Sequence, residues 1–272
     1  MRQPSPGTAL VTGASSGIGA VYADRLAKRG YDLILVARNG ERLKALSARL
    51  TAETGRSVKA LPADLGDKAA LAKVEAVLRD DPSITLLVNN AGAASLAPLL
   101  DSDIDEMEAM IALNVTALTR LTYAAAPAFV ARGAGTIINI TSVVAIGPER
   151  LNGVYGASKA FVLALSHSLH HELAEKGVRV QAVLPAATAT DIWEKGGFHY
   201  SKLPAGTVMS TEDMVDAALA GLDQGEVVTI PPLQDGDDWT RFEAARAALT
   251  QKFGNSAPAP RYRAAEPARQ SA

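Results

Sequence analysis

Short apolar runs alternate with longer helical stretches along this chain, and that alternation restricts the fold more than any other feature. The runs are Thr8–Thr12, Leu33–Ala37, Val58–Leu61, Leu86–Asn89, Thr136–Ile140 and Val178–Leu184. They are rich in Val, Ile and Leu and apolar on both faces, as strands covered on both sides of a parallel sheet are. Helical patterns lie between them at Gly17–Arg29, Glu41–Glu53, Asp67–Arg79, Asp105–Ala131 and Val154–Glu175. Strand and helix in alternation require right-handed crossovers. The expected fold is therefore α/β: a single-domain, Rossmann-type doubly wound parallel sheet with helices on both faces.

No repeat or interdomain linker interrupts the pattern, so residues 1–255 are expected to form one domain. Within it, residues 186–205 carry a Gly-Gly pair, Trp193, Phe198 and Tyr200 and read as a flap. A last strand is expected at Val227–Ile230, followed by a helix from Asp238 to Lys252. Residues 256–272 are rich in Ala and Pro and are expected to be disordered.

Charge and cysteine usage narrow the function. The 27 basic and 29 acidic residues nearly balance, which argues against a nucleic-acid or membrane partner. With no cysteine there are no disulfides, thiolate metal sites or cysteine nucleophiles. No run approaches the roughly 18 apolar residues of a membrane span. The opening MRQPSPGTALVTG lacks a signal-peptide core, and a cytoplasmic location is expected.

The first strand runs directly into TGASSGIGA, residues 12–20. Gly13, Gly17 and Gly19 allow positive φ and let backbone approach a bulky anion. The helix that follows directs its N-terminal amides at the same place, as a pyrophosphate requires. Ser15 and Ser16 add hydroxyls, and no Lys follows the last glycine, so this is not a nucleoside-triphosphate loop. The bland alternative is a structural turn.

The second strand ends LVARNG. An NAD site places a carboxylate near this end to accept from ribose hydroxyls. Arg38 stands here instead, while Asp32 lies at the opposite end of the strand. A guanidinium suits the 2′-phosphate of NADP, so NADP is the expected cofactor and NAD the alternative. Asn39 can add a polar contact. An Arg simply solvated at a strand end is the competing reading.

Tyr155 and Lys159, at i and i+4, share one helix face. A free phenol titrates near ~10, and bringing it to ~7 needs about 4 kcal/mol favouring the phenolate. A nearby ammonium is expected to provide part of that.

Taken with TGASSGIG, NNAG (residues 89–92), Asn114, Ser142 and the segment after Pro185, the stretch YGASK (155–159) resembles the short-chain dehydrogenase/reductase family. The resemblance runs from Thr8 to Thr190 with every motif in family order. It implies four catalytic residues. Tyr155 exchanges the proton, Ser142 holds the substrate oxygen, Lys159 supports Tyr155 and the nicotinamide ribose, and Asn114 kinks its helix and holds a relay water. It also implies cofactor contacts at Gly13, Ser15, Ser16, Gly17, Ile18, Gly19, Arg38, Asp64, Leu65, Asn90, Gly92, Pro185, Thr188 and Thr190, besides Tyr155 and Lys159. Asn90 matches a position near the adenine ribose, and Asp64 and Leu65 border the adenine. Thr188 presents its backbone to the carboxamide, and Thr190 meets carboxamide or pyrophosphate. Ala186 stands where the family usually has glycine. Plain structural readings stay open for several of these: a turn cap at Ser142, a satisfied buried amide at Asn114, an N-cap at Asp64.

His167, His170 and His171 cluster in HSLHHEL without an HExxH pattern, and a surface or subunit-contact role is expected rather than metal binding. No GxSxG elbow occurs, which argues against a hydrolase. The expected protein is an NADP-dependent oxidoreductase passing hydride between nicotinamide and a carbonyl or secondary alcohol, more as carbonyl reductase than the reverse. An NAD-dependent alcohol dehydrogenase and a non-catalytic NADP-binding regulator are the alternatives. The substrate is expected to be a small molecule in a mostly apolar pocket that includes Ala94, Val144 and Trp193. Neither metal, nucleic acid nor membrane is expected, and the resemblance implies a homodimer or homotetramer.

Overall fold

A computed structural model describes residues 6–190, 200–204 and 206–262. Seven parallel strands form one sheet in the order β3-β2-β1-β4-β5-β6-β7. They are β1 (Thr8–Thr12), β2 (Asp32–Ala37), β3 (Val58–Pro62), β4 (Ile84–Asn89), β5 (Gly135–Ile140), β6 (Val178–Val183) and the short β7 (Val228–Thr229). The order reverses between β1 and β4, so the crevice outside their carboxyl ends is where a ligand is expected in such a sheet.

Helices cover both faces. Alternate strand residues supply two cores. One collects Ala9, Val11, Leu33 and Leu35 with Tyr22 and Leu26 of α1 (Gly17–Lys28), Leu43 and Leu50 of α2 (Gly40–Thr54), and Met214 and Leu219 of α7 (Thr211–Asp223). The other collects Leu10, Ile34, Leu87 and Ile137 with Leu71 and Leu78 of α3 (Lys68–Asp80), Leu121 and Phe129 of α5 (Leu118–Arg132), and Leu169 and Leu173 of α6 (Gly153–Leu173). The long helix expected over Asp105–Ala131 is not continuous. It consists of α4 (Ile104–Ile111), a π-helical segment Ala112–Ala117 that holds Asn114, and α5. α7 was not among the expected helices. Its signal is an N-cap: Ser210 Oγ accepts from Asp213 N at 2.9 Å and donates to Asp213 Oδ2.

The chain divides into two compact units, Met1–Pro232 and Leu233–Ala272. The second contains α8 (Gly236–Thr250), capped by Asp235, with Trp239 and Phe242 stacked at 5.2 Å, and a short turn at Pro260–Tyr262. Trp193, Phe198 and His199 of the expected flap, and residues 263–272 of the expected tail, lie outside the described residues.

Candidate active site

The expected site residues lie just past the carboxyl ends of consecutive strands: Gly13 after β1, Arg38 after β2, Asp64 after β3, Asn90 after β4, Ser142 after β5 and Pro185 after β6. The topology alone therefore brings them to one edge of the sheet.

At β1 the glycines form a close-packed turn. Gly13 has φ +65° and Gly17 φ +54°. A Cβ on Gly19 would stand 2.4 Å from the Gly13 carbonyl oxygen and 2.5 Å from Asn90 Nδ2, so no side chain fits there. Ser16 occupies the N-cap of α1 with no side-chain cap bond, and the first turn holds no acidic residue. The amides of α1 thus keep their partial positive charge for an external anion. This cradle fits the pyrophosphate of a dinucleotide. Ile18 packs against the core and offers only backbone to it.

Asn90 has a bracing role that its motif did not reveal. Its Nδ2 donates to Thr12 O at 2.9 Å and Gly13 O at 3.3 Å, tying the glycine turn to the end of β4. Thr12 Oγ1 completes the brace by accepting from Asn90 N at 2.9 Å and Ala91 N at 3.0 Å.

Arg38 is exposed at the end of β2 and makes no side-chain hydrogen bond or ion pair among the described residues. Asp32, at the far end of that strand, pairs with Arg56 at 2.9 Å, remote from the site edge. Asn39 is the N-cap of α2, with Oδ1 accepting from Arg42 N at 3.0 Å. Asp64 does not cap the next helix: Asp67 does, accepting from Ala70 N at 2.8 Å. Asp64 instead accepts from Gly66 N at 3.0 Å in a local turn and stays exposed. The Leu65 side chain is in the core, so only its backbone can face a ligand.

Ser142, Tyr155 and Lys159 converge between β5 and α6. The Ser142 hydroxyl donates to Pro185 O at 3.2 Å and accepts from Val144 N at 3.4 Å. Its capping role and its place beside Tyr155 coexist. Lys159 is 6% exposed, with Nζ donating to Ile140 O at 3.1 Å and lying 5.8 Å from the Tyr155 ring centroid. Burial pushes its pKa down to about 8. The expected lowering of the Tyr155 pKa is not found in the chain itself. Burial raises it, and the Ser142 hydrogen bond only partly opposes that.

Asn114 is buried in the π segment. Its Oδ1 accepts from Ala93 N at 2.8 Å, and its Nδ2 donates to Ala93 O at 2.9 Å and to Ser158 Oγ at 3.0 Å. Ser158 in turn donates to Tyr155 O at 2.8 Å. The side chain is thus occupied by protein partners. A π turn shifts the helical ladder from i→i+4 to i→i+5, which is the local irregularity the motif implied. Gly92 lies between Asn114 and Lys159: a Cβ there would be 3.1 Å from Asn114 Oδ1 and 3.5 Å from Lys159 Nζ.

Past β6, Ala187 and Ala189 pair with Met209 through bonds of 2.9 and 3.0 Å. In a parallel bridge of this kind the opposing residue, Thr188, turns its own N–H and C=O away from Met209. Thr190 Oγ1 donates to Thr188 O at 3.4 Å, and its methyl would lie 3.2 Å from a Cβ on Gly17. The segment therefore reaches back to the cradle. Thr141, the neighbour that could be mistaken for Ser142 in the sequence, has its Oγ1 donating to Lys159 O at 2.7 Å; sequence reasoning missed the cap of α6, Asn152. An Asn immediately before a helical pattern is the signal that exposes the latter. Among the described residues no group of His, Asp or Glu is placed to hold a metal ion. None of their helices is long and apolar enough to cross a membrane.

Comparison with known proteins agrees with this geometry. The family model described as short chain dehydrogenase matches residues 7–197. An uncharacterised oxidoreductase of Staphylococcus epidermidis is 31% identical over 223 residues, covering 82% of this chain and 93% of the relative. A short-chain dehydrogenase from Sphingobium yanoikuyae, solved in complex with NADPH, is 51% identical with a TM-score of 0.92, covering 94% of this chain and 100% of that one. The bulky-bulky ketone specific alcohol dehydrogenase from Comamonas testosteroni is 44% identical with a TM-score of 0.88, covering 95% and 99%.

Proposed function

This chain belongs to the short chain dehydrogenase family of oxidoreductases, and from that premise we propose that it is an NADP-dependent reductase of bulky, uncharged ketones. The observation that carries the reading is the convergence of Ser142, just past β5, with Tyr155 and the buried Lys159 in the first turns of α6, Lys159 Nζ lying 5.8 Å from the Tyr155 ring centroid. A ketone oxygen seated there accepts hydrogen bonds from both hydroxyls, which stabilise the charge that grows on it. When bound, the nicotinamide dinucleotide supplies the hydride to the carbonyl carbon. Tyr155 donates its proton to the oxygen, giving a secondary alcohol, and the raised pKa keeps that phenol protonated at neutral pH. In this reading Lys159 would hold ribose hydroxyls and return a proton to Tyr155. Asn114 acts through Ser158 and Ala93, fixing the helix turn that carries Tyr155.

Arg38 supports the choice of NADP. It is exposed and unpaired among the described residues, at the position where a 2′-phosphate is expected, and the strand end LVARNG itself carries no carboxylate. The NADPH complex of the Sphingobium neighbour points the same way. The bulky-ketone assignment draws on the Comamonas neighbour and on the apolar residues Ala93, Ala94, Val144 and Ile146 that follow β4 and β5 in sequence. Assembly into a homodimer or homotetramer is part of the same reading.

The test is NADPH oxidation followed against a panel of ketones graded from acetone to diaryl ketones, with NADH in parallel. The expected result is turnover of bulky ketones with NADPH preferred. Arg38→Asp is expected to reverse the cofactor preference. NADPH binding without turnover on any carbonyl would support a regulator instead, and equal use of NADH would return the NAD-dependent alternative.

A further inference from the structure

Both ends of the Asn152 side chain are engaged. Its Oδ1 accepts from Val154 N at 2.9 Å and Tyr155 N at 3.2 Å, capping α6. Its Nδ2 donates to Ala97 O at 2.7 Å and Ser102 Oγ at 3.0 Å. The amide has one orientation that satisfies both sets, because the helix N-terminus offers donors and Ala97 offers an acceptor. Ser102 extends the clamp by donating to Ala97 O at 3.1 Å and Pro98 O at 2.8 Å. Asn152 is 6% exposed, so these bonds are shielded from water.

The segment held this way leaves the carboxyl end of β4 and is fastened twice. Asn114 bonds both backbone groups of Ala93, and Asn152 with Ser102 bonds the carbonyls of Ala97 and Pro98. Half-buried Ala94, Ser95 and Leu96 lie between the two fastenings. The segment therefore crosses from the Lys159 side of the site to the first turn of α6, three residues before Tyr155.

We infer that Asn152 is a positioning residue that fixes this segment against the first turn of α6 and so sets the opening offered to bulky ketones beside Tyr155. The inference rests on the ketone-reductase reading. Ser, Thr and Asp cap a helix about as well as Asn. Of these four, Asn alone combines an acceptor with two donors. The cap alone does not require it, whereas the clamp does.

The test separates cap from clamp. Asn152→Asp keeps an acceptor for the cap and loses the donors, and Ser102→Ala removes one partner of the clamp. Steady-state reduction of a diaryl ketone and of acetone by NADPH is compared with wild type. Both variants are expected to raise KM for the diaryl ketone roughly five- to tenfold, the loss of one to two buried hydrogen bonds, with a smaller change for acetone. KM for NADPH is expected to stay within about twofold, since the cradle is untouched. An unchanged ratio of the two ketone KM values in both variants overturns the inference. Hydrogen exchange across residues 95–103 gives an arm that needs no turnover. Faster exchange there in Asn152→Asp, with the first turn of α6 still protected, supports the clamp, and unchanged exchange refutes it. A wild-type chain that reduces no ketone while this exchange result holds would sink the reductase reading and leave the clamp standing.

Discussion

At the scale of single residues, burial is the dominant influence on the two groups of the Tyr155–Lys159 pair. The Lys159 pKa falls from 10.5 to about 8, which corresponds to about 3 kcal/mol against its charged form in the folded chain. The unfolded state binds more protons between those two values, so stability rises with pH across that window. Below it the folded chain carries the full penalty. Lys159→Met is therefore expected to abolish ketone reduction yet raise the melting temperature at pH 7, the gain being reduced by loss of the Nζ bond to Ile140. That gain should shrink as pH rises through about 8 towards 10.5, and thermal melts of both proteins over that range check it. Tyr155 moves in the opposite sense: burial raises its pKa, so its acid form persists through neutral pH. Reduction is expected to stay level across neutral pH while the reverse oxidation, which needs the phenolate, climbs on the alkaline side. Tyr155→Phe keeps the ring and removes the hydroxyl, and should lower kcat by roughly a hundred- to ten-thousandfold. Initial rates in both directions against pH check these points together.

At the scale of elements, the strands were legible because buried parallel strands leave dense apolar runs, and all seven expected strands reappear with ends shifted by no more than two residues. The break in the long helix was not legible in detail. A π turn depends on which tertiary partners claim the backbone, and here Asn114 reaches Ala93 in the loop after β4. Spacing and resemblance pointed to Ser142, Tyr155 and Lys159 as candidates, but the electrostatic direction at Tyr155 was not legible, since burial of an i,i+4 pair is a property of what packs over it. Asn90 shows the same limit. The motif marks the position, while the bonds to Thr12 and Gly13 that brace the turn appear only once β1 and β4 lie side by side. That brace gives an element-scale expectation. Gly19→Ala would force its methyl against the Gly13 carbonyl and Asn90 amide, so the turn must open. NADPH affinity is expected to fall at least tenfold with the melting temperature also lowered, measurable by nicotinamide fluorescence titration and calorimetry. Unaltered NADPH binding in a folded Gly19→Ala protein would mean that the cradle lies elsewhere.

At the scale of the whole molecule, the helix that carries Tyr155 and Lys159 also carries an apolar outer face. Lys159, Val162 and Ser166 are buried towards the sheet, whereas exposed Ala157 and Phe161, the latter 41% exposed, lie on the other side of α6. Facing α4, a shallow groove of about 310 Å³ is lined by Ile111, Val115, Gly153, Val154, Ala157 and Ser158. Gly153 and Ala157 are small enough to let another helix approach closely, and Ile111 is left 44% exposed. Exposed apolar surface of this kind is costly to leave in water and is the usual mark of a subunit contact. If two copies meet here through a two-fold axis, the same patch of α4 and α6 is buried on both, since isologous contacts are self-complementary. The packing of Ser158 would then join the interface to the site: it lines the groove while bonding Asn114 and the Tyr155 carbonyl. Ile111→Glu is expected to shift the protein to a smaller species in light scattering and to lower kcat in parallel, because the α6 turn that holds Tyr155 loses its outer support. An unchanged mass for Ile111→Glu would assign the interface to another surface. A monomeric variant with full kcat would show that the catalytic turn is held from within the subunit alone, by Asn114, Asn152 and Thr141.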